Sequence, residues 1–64
     1  MFKKISIDRD RNEMAVTEEV VINLEQITRI DPIIESIYLS DGSVIYTYSS
    51  EINNILETIN VKRI

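Results

Sequence analysis

Isoleucine dominates this chain: it fills thirteen of the 64 positions, against one glycine and one proline. β-Branched side chains are stiff about χ1 and pack well on a pleated surface, so this load favours sheet. The single glycine and proline leave little material for long loops. A domain of this length hides only about 60% of the surface that its unfolded chain exposes. Such chains usually draw on disulfides, a metal or a partner subunit for stability. There is no cysteine and no histidine, so disulfides, zinc ribbons and thiolate or imidazole chemistry are excluded. A partner subunit is what remains. The expectation is one domain over residues 1–64, sheet-rich and homo-oligomeric.

The local patterns give an α+β reading: a small antiparallel sheet of three to four strands with one C-terminal amphipathic helix packed on one face. In "FKKISI", Ile5 and Ile7 point one way and Lys4 and Ser6 the other, which is strand period. "DRDRNE" (8–13) is polar throughout and reads as a connecting loop. In "AVTEEVVINL", Val16, Val20, Ile22 and Leu24 share one face, with Glu19 and Val21 on the other; Glu18 interrupts the first series. Asn23 can cap a single helical turn, with Gln26 in capping-box spacing. Pro32 then keeps Asp31 out of helical dihedrals, so "ITRID" is a short extended piece. At the end, Ile52, Ile55, Leu56 and Ile59 recur at helical spacing as one apolar stripe. Ser49 or Ser50 is the expected cap, Glu51 the first-turn acid, and Asn60 the left-handed terminator. "VKRI" is left as a tail or the remnant of a fourth strand.

Between these elements lies "IYLSDGSVIYTYSS". Asp41-Gly42 is a strong signal for a two-residue hairpin turn, which needs positive φ at both central residues. That turn sets Leu39 opposite Val44, Tyr38 opposite Ile45 and Ile37 opposite Tyr46. Ile37, Leu39, Val44, Tyr46 and Tyr48 then form the core face, and Ser36, Tyr38, Ser40, Ile45 and Thr47 the other. A helix of about ten residues covers only one side of such a sheet. The uncovered side would display Tyr38, Ile45 and Val21, with Ile33 and Ile34 at its edge. A contiguous apolar patch of that kind marks an interaction surface, and these five residues are the expected interface between copies.

The net charge is −4, from eleven acidic and seven basic residues. Lys3, Lys4, Arg9 and Arg11 gather near the start and Lys62 and Arg63 near the end. These would be the phosphate contacts of a nucleic-acid binder, but Asp8, Asp10 and Glu13 are interleaved with the first group and cancel much of its field. Nucleic acid is disfavoured as a partner. The apolar run after the first lysines is broken by Ser6 and Asp8, too short for a signal-peptide core. No stretch approaches the roughly 20 apolar residues of a membrane span. No membrane partner is expected, and the default compartment is the cytoplasm.

Chemistry-bearing patterns are few. Asp8, Asp10, Asn12 and Glu19 match the first, third, fifth and twelfth donor positions of a calcium-binding EF-hand loop. Glu13 stands where that loop needs glycine, Arg9 and Arg11 bring positive charge to the proposed cation, and the flanks read as strands. A polar hairpin loop accounts for the segment better, and neither metal nor cofactor is expected. General-base work would fall to carboxylates, lysine or tyrosine, and no acid–base pair is set in a cleft. The chain is expected not to be an enzyme.

The order "VINLEQITRID", "SIYLSDGSVIYTYSS", "EINNILETI" resembles the small flagellar FlbD-type regulator family, through Asn23, Ile27, Leu39, Gly42 and the helix stripe. It is also similar to part of the LytTR DNA-binding domain. The likeness covers about residues 20–60. In the LytTR case a basic segment should follow the helix, and only Lys62 and Arg63 occupy that place. The resemblance implies a small regulatory protein. With the composition of an AT-rich bacterial or phage genome, the expectation is a non-enzymatic regulatory or inhibitory protein that binds another protein through a β-edge or sheet face. The alternatives are a LytTR-like nucleic-acid-binding regulator, or an oligomer that holds a small ligand between subunits.

Overall fold

The computed structural model describes residues 1–9 and 16–63. It is a small α+β fold with six strands in two sheets. The strands are β1 (Phe2–Asp8), β2 (Thr17–Asn23), β3 (Ile27–Asp31), β4 (Ser36–Leu39), β5 (Val44–Tyr46) and β6 (Lys62–Arg63); the helix α1 is Ser49–Thr58. One sheet pairs β1 with β2, and the other runs β5-β4-β3-β6. The expected single sheet is thus split. β6 joins as a parallel neighbour of β3, reached from β5 by way of the helix.

The first five strands follow one another round an open ring. β1 lies antiparallel to β2, and one 3-10 turn, Leu24–Gln26, leads into β3. β3 pairs with β4 and β4 with β5. β5 returns to β1 through an isolated bridge between Ile7 and Thr47. The alternation read from the sequence holds in β1 and β2: Ile5, Ile22 and Leu24 are buried, whereas Val21 is 64% exposed. With Ile27, Ile30, Ile37, Ile52 and Ile55 they form one core, flanked by half-buried Ile7, Val20, Leu39, Ile45, Leu56, Ile59 and Val61.

The β4–β5 hairpin departs from the expected register by one residue. Ser36 faces Tyr46, Ile37 faces Ile45, and Tyr38 faces Val44. The loop therefore holds three residues, closed by the Leu39 N–H bonded to the Ser43 carbonyl (2.9 Å), with Gly42 alone at positive φ (91°). A one-residue slip sends every side chain of a strand to the opposite face. Ile45 accordingly turns toward the core beside Ile37, while Val44 and Tyr46 are exposed on Tyr38's side. The slip seats an isoleucine in the core and leaves the tyrosine outside.

Helix ends also differ from expectation. Tyr48 is the N-cap and makes no side-chain cap bond. Instead the Glu35 carboxylate accepts from the Ser49 N–H (2.8 Å) and hydroxyl (3.1 Å). Glu35 reaches it from a strained backbone, φ 54°, and a carboxylate at a helix N-terminus is favoured by the aligned peptide dipoles. The helix stops at an extended Ile59, so Asn60 is not a left-handed terminator; among described residues other than glycine, only Glu35 has positive φ. Asn23 does cap the 3-10 turn, accepting from the Glu25 N–H (3.0 Å), but the Gln26 side chain bonds Ser40 instead of closing a capping box.

Polar contacts fasten the β1–β2 hairpin to the rest, among them the Thr17 and Tyr48 hydroxyls (2.8 Å) and two bonds at Ser6. The Thr47 hydroxyl donates to the Ser6 carbonyl (2.6 Å), and the Ser6 N–H donates to the Glu51 carboxylate. Thr47 is almost fully buried. Thr47→Val keeps the shape but strands the Ser6 carbonyl, which should lower unfolding stability by about 1–3 kcal/mol in urea titrations. Ile37→Ala, at a wholly buried site, should cost about 2–5 kcal/mol, enough to leave so small a domain largely unfolded in thermal melts.

Candidate functional site

The backbone bonding of the β1–β2 hairpin determines which strand edge is open. The Leu24 N–H donates to the Met1 carbonyl (2.8 Å) and the Arg9 N–H to the Val16 carbonyl (2.9 Å). Bonded pairs alternate along an antiparallel ladder. Even-numbered residues of β2 therefore bond β1, and Thr17, Glu19, Val21 and Asn23 aim their backbone groups away from it. By the same alternation Ser6 of β1 points outward, and Thr47 and Glu51 satisfy it. β1's outer edge is thus closed at Ser6. Among the described strands β2 pairs with β1 alone, so its outer edge is open.

Beside that edge runs a groove of about 380 Å³. Ile7, Val20, Ile22, Leu39 and Ile45 supply its apolar lining, and Val21, Asn23, Gln26, Ser40 and Asp41 complete it. It lies between β2 and the β4–β5 loop, where the ring of strands does not close. The polar part is internally bonded. The Ser40 N–H donates to the Gln26 carbonyl (2.8 Å) and its hydroxyl to the Gln26 side chain. The Asp41 carboxylate accepts the Ser43 N–H (2.8 Å) and hydroxyl (2.5 Å). Those bonds, the hydroxyl's first, hold the Asp41 carboxyl below its usual 3.8. A groove with fixed polar groups beside an apolar wall is suited to binding.

The residues expected to form an interface are not gathered on one face. Ile45 and Val21 line the groove. Tyr38 lies on the opposite side of β4–β5, with the Arg29 guanidinium 4.4 Å above its ring. The register slip separates Tyr38 from Ile45. Ile33 (87% exposed) and Ile34 sit in the turn between β3 and β4, where the Asp31 carboxylate accepts both their N–H groups. The exposed Phe2 was missed by the sequence reading. It lies opposite Asn23 and diagonal to Val21 on the outer side of the hairpin.

Among the described residues the basic side chains do not form a stripe. Lys4 pairs with Glu19 (3.3 Å) and Arg9 with Glu18 (3.5 Å). Lys3 and Lys4 lie on opposite faces of β1, as strand alternation requires. Lys62 and Arg63 are the two residues of β6, and Arg63 is exposed. Arg11 lies outside the described residues, as do Asp10, Asn12 and Glu13 of the calcium-like pattern. The two members of that pattern that are described sit on paired strands, Asp8 opposite Thr17 and Glu19 opposite Ser6. Among the described residues no three metal-ligating side chains come together, and no helix is long and apolar enough to cross a membrane.

Compared with known proteins, the chain matches no family model, no curated protein and no solved structure.

The lowered Asp41 titration has a definite sign. The loop's ionised-aspartate bonds contribute stability above the ordinary carboxylate value and lose it as pH falls through the folded one. In Ser43→Ala the largest cause is removed. The Asp41 carboxyl resonance should then titrate nearer 3.8 by NMR, and an unmoved midpoint would contradict this assignment.

Proposed function

We propose that the chain is a non-catalytic regulatory or inhibitory module, cytoplasmic in setting, that binds protein by taking an extended segment along β2. The observation that carries this reading is the open β2 edge standing beside an apolar groove. An added strand would bond its backbone to Glu19, Val21 and Asn23, and every second side chain would enter the groove against Ile22, Leu39 and Ile45. Main-chain bonds supply affinity in this mode, and side-chain pockets supply specificity. The regulatory character is the part that the resemblance to FlbD-type and LytTR proteins implies, and self-association belongs to the same proposal. The carboxylates beside Lys4 and Arg9 weigh against a phosphate-binding surface.

Peptides selected from a random displayed library against the intact chain test this. Binders should alternate apolar residues and slow amide exchange at Glu19 and Val21. Val21→Pro deletes an outward N–H that the β1 ladder does not use, a position where an edge strand tolerates proline. It should weaken those peptides by up to about tenfold while far-UV circular dichroism stays unchanged, the loss of one edge hydrogen bond being worth about 0.5–1.5 kcal/mol. Selected binders that leave both β2 amides unprotected would overturn the reading.

A further inference from the structure

We infer that the segment added to β2 is β2 of a second copy, antiparallel about a two-fold axis at Val21. This rests on the strand-addition reading and names its partner. The backbone groups that β2 sends outward belong to Glu19, Val21 and Asn23, and an axis at Val21 matches all three. Val21 then faces its own equivalent, Glu19 faces the partner's Asn23, and Asn23 faces the partner's Glu19. Each facing pair exchanges both of its N–H···O=C bonds.

The side chains agree with this register. On the outer side, the 64%-exposed Val21 meets its equivalent, and exposed Phe2 of each copy flanks the contact. On the groove side, Val20 meets the partner's Ile22. Such β-branched cross-strand pairs stabilise a sheet. The Asn23 side chain turns its oxygen to the Glu25 N–H, which leaves the amide NH₂ to donate to the partner's Glu19.

Charge selects this register over those shifted toward Glu19. With the axis at Val21, the two Glu19 carboxylates are four residues apart along the ladder, about 14 Å at ~3.4 Å per residue. An axis at Val20 makes them diagonal neighbours at roughly 7–8 Å, and one at Glu19 sets them face to face. In a chain of net charge −4 both are disfavoured. The edge has no proline, no bulge and no lysine, and its charges are Glu18 and Glu19, whose carboxylates meet Arg9 and Lys4 of the same copy. β1's outer edge, by contrast, is closed at Ser6.

Charge complementation at the axis tests the inference. The native chain should sediment as a dimer. Val21→Lys and Val21→Glu, at an exposed site, should each fold and dimerise on the order of 100-fold more weakly, because like charges meet across the interface. An equimolar mixture of the two should regain the dimer, since only a residue facing its own equivalent brings lysine against glutamate. Amide exchange on the native chain, at high and low concentration, gives a readout free of substitution: Glu19 and Val21 should be protected only when concentrated. A monomeric native chain, single variants that remain dimeric, or a mixture that stays monomeric would overturn the inference. If the native chain is monomeric yet library peptides protect β2, self-pairing fails and the strand-addition reading stands. If neither occurs, both fail.

Discussion

Ser6 is where the two halves of the molecule are fastened. A two-stranded hairpin is at best marginally stable alone, and β1–β2 persists because it packs Ile5, Ile22 and Leu24 into the common core. Apolar burial does not orient the hairpin by itself. Directional bonds add to it: Thr47 and Glu51 take the Ser6 carbonyl and N–H, Tyr48 meets Thr17, and the hairpin is so attached to the end of β5 and the first turn of α1. The groove follows from this attachment. With β1 held against β5, β2 is left on the far side, its open edge toward the β4–β5 loop.

The helix is placed by similar contacts. Its N-terminal N–H is met by Glu35 from the β3–β4 turn, and its own Glu51 reaches β1. These two carboxylates tie three separate segments together at one helix end, where the peptide dipoles favour negative charge. Ile52 and Ile55 then fall onto the core, and the chain continues into β6 beside β3. The placement of positive φ at a glutamate, where glycine would be easier, is compensated by the cap that the glutamate makes.

Much of this was legible in the sequence. The alternation in β1 and β2, the capped turn at Asn23, the short β3 and the apolar stripe of α1 are local patterns, and each appears where it was read. The hairpin loop was legible only in part. Asp41-Gly42 marks a turn, but the same pair serves a two-residue loop and a three-residue loop with glycine at the positive-φ position. The choice between them depends on whether Ile45 or the Val44 and Tyr46 pair faces Ile37. That is settled by what lies across the core. The caps on α1 escaped notice because Glu35 is fourteen residues from the Ser49 that it binds.

Taken alone, the sequence determined the period of each strand, the single helical stripe, and the lack of histidine and cysteine chemistry. Periodicity is a property of neighbouring residues, so it survives in any context. Tertiary structure alone decided the β4–β5 register, which hairpin edge is closed and which stays open, and the groove that joins Ile7 and Val20 to Leu39 and Ile45. Each of these depends on groups far apart in the chain, whose hydrogen bonds and contacts exist only once folding has brought them together.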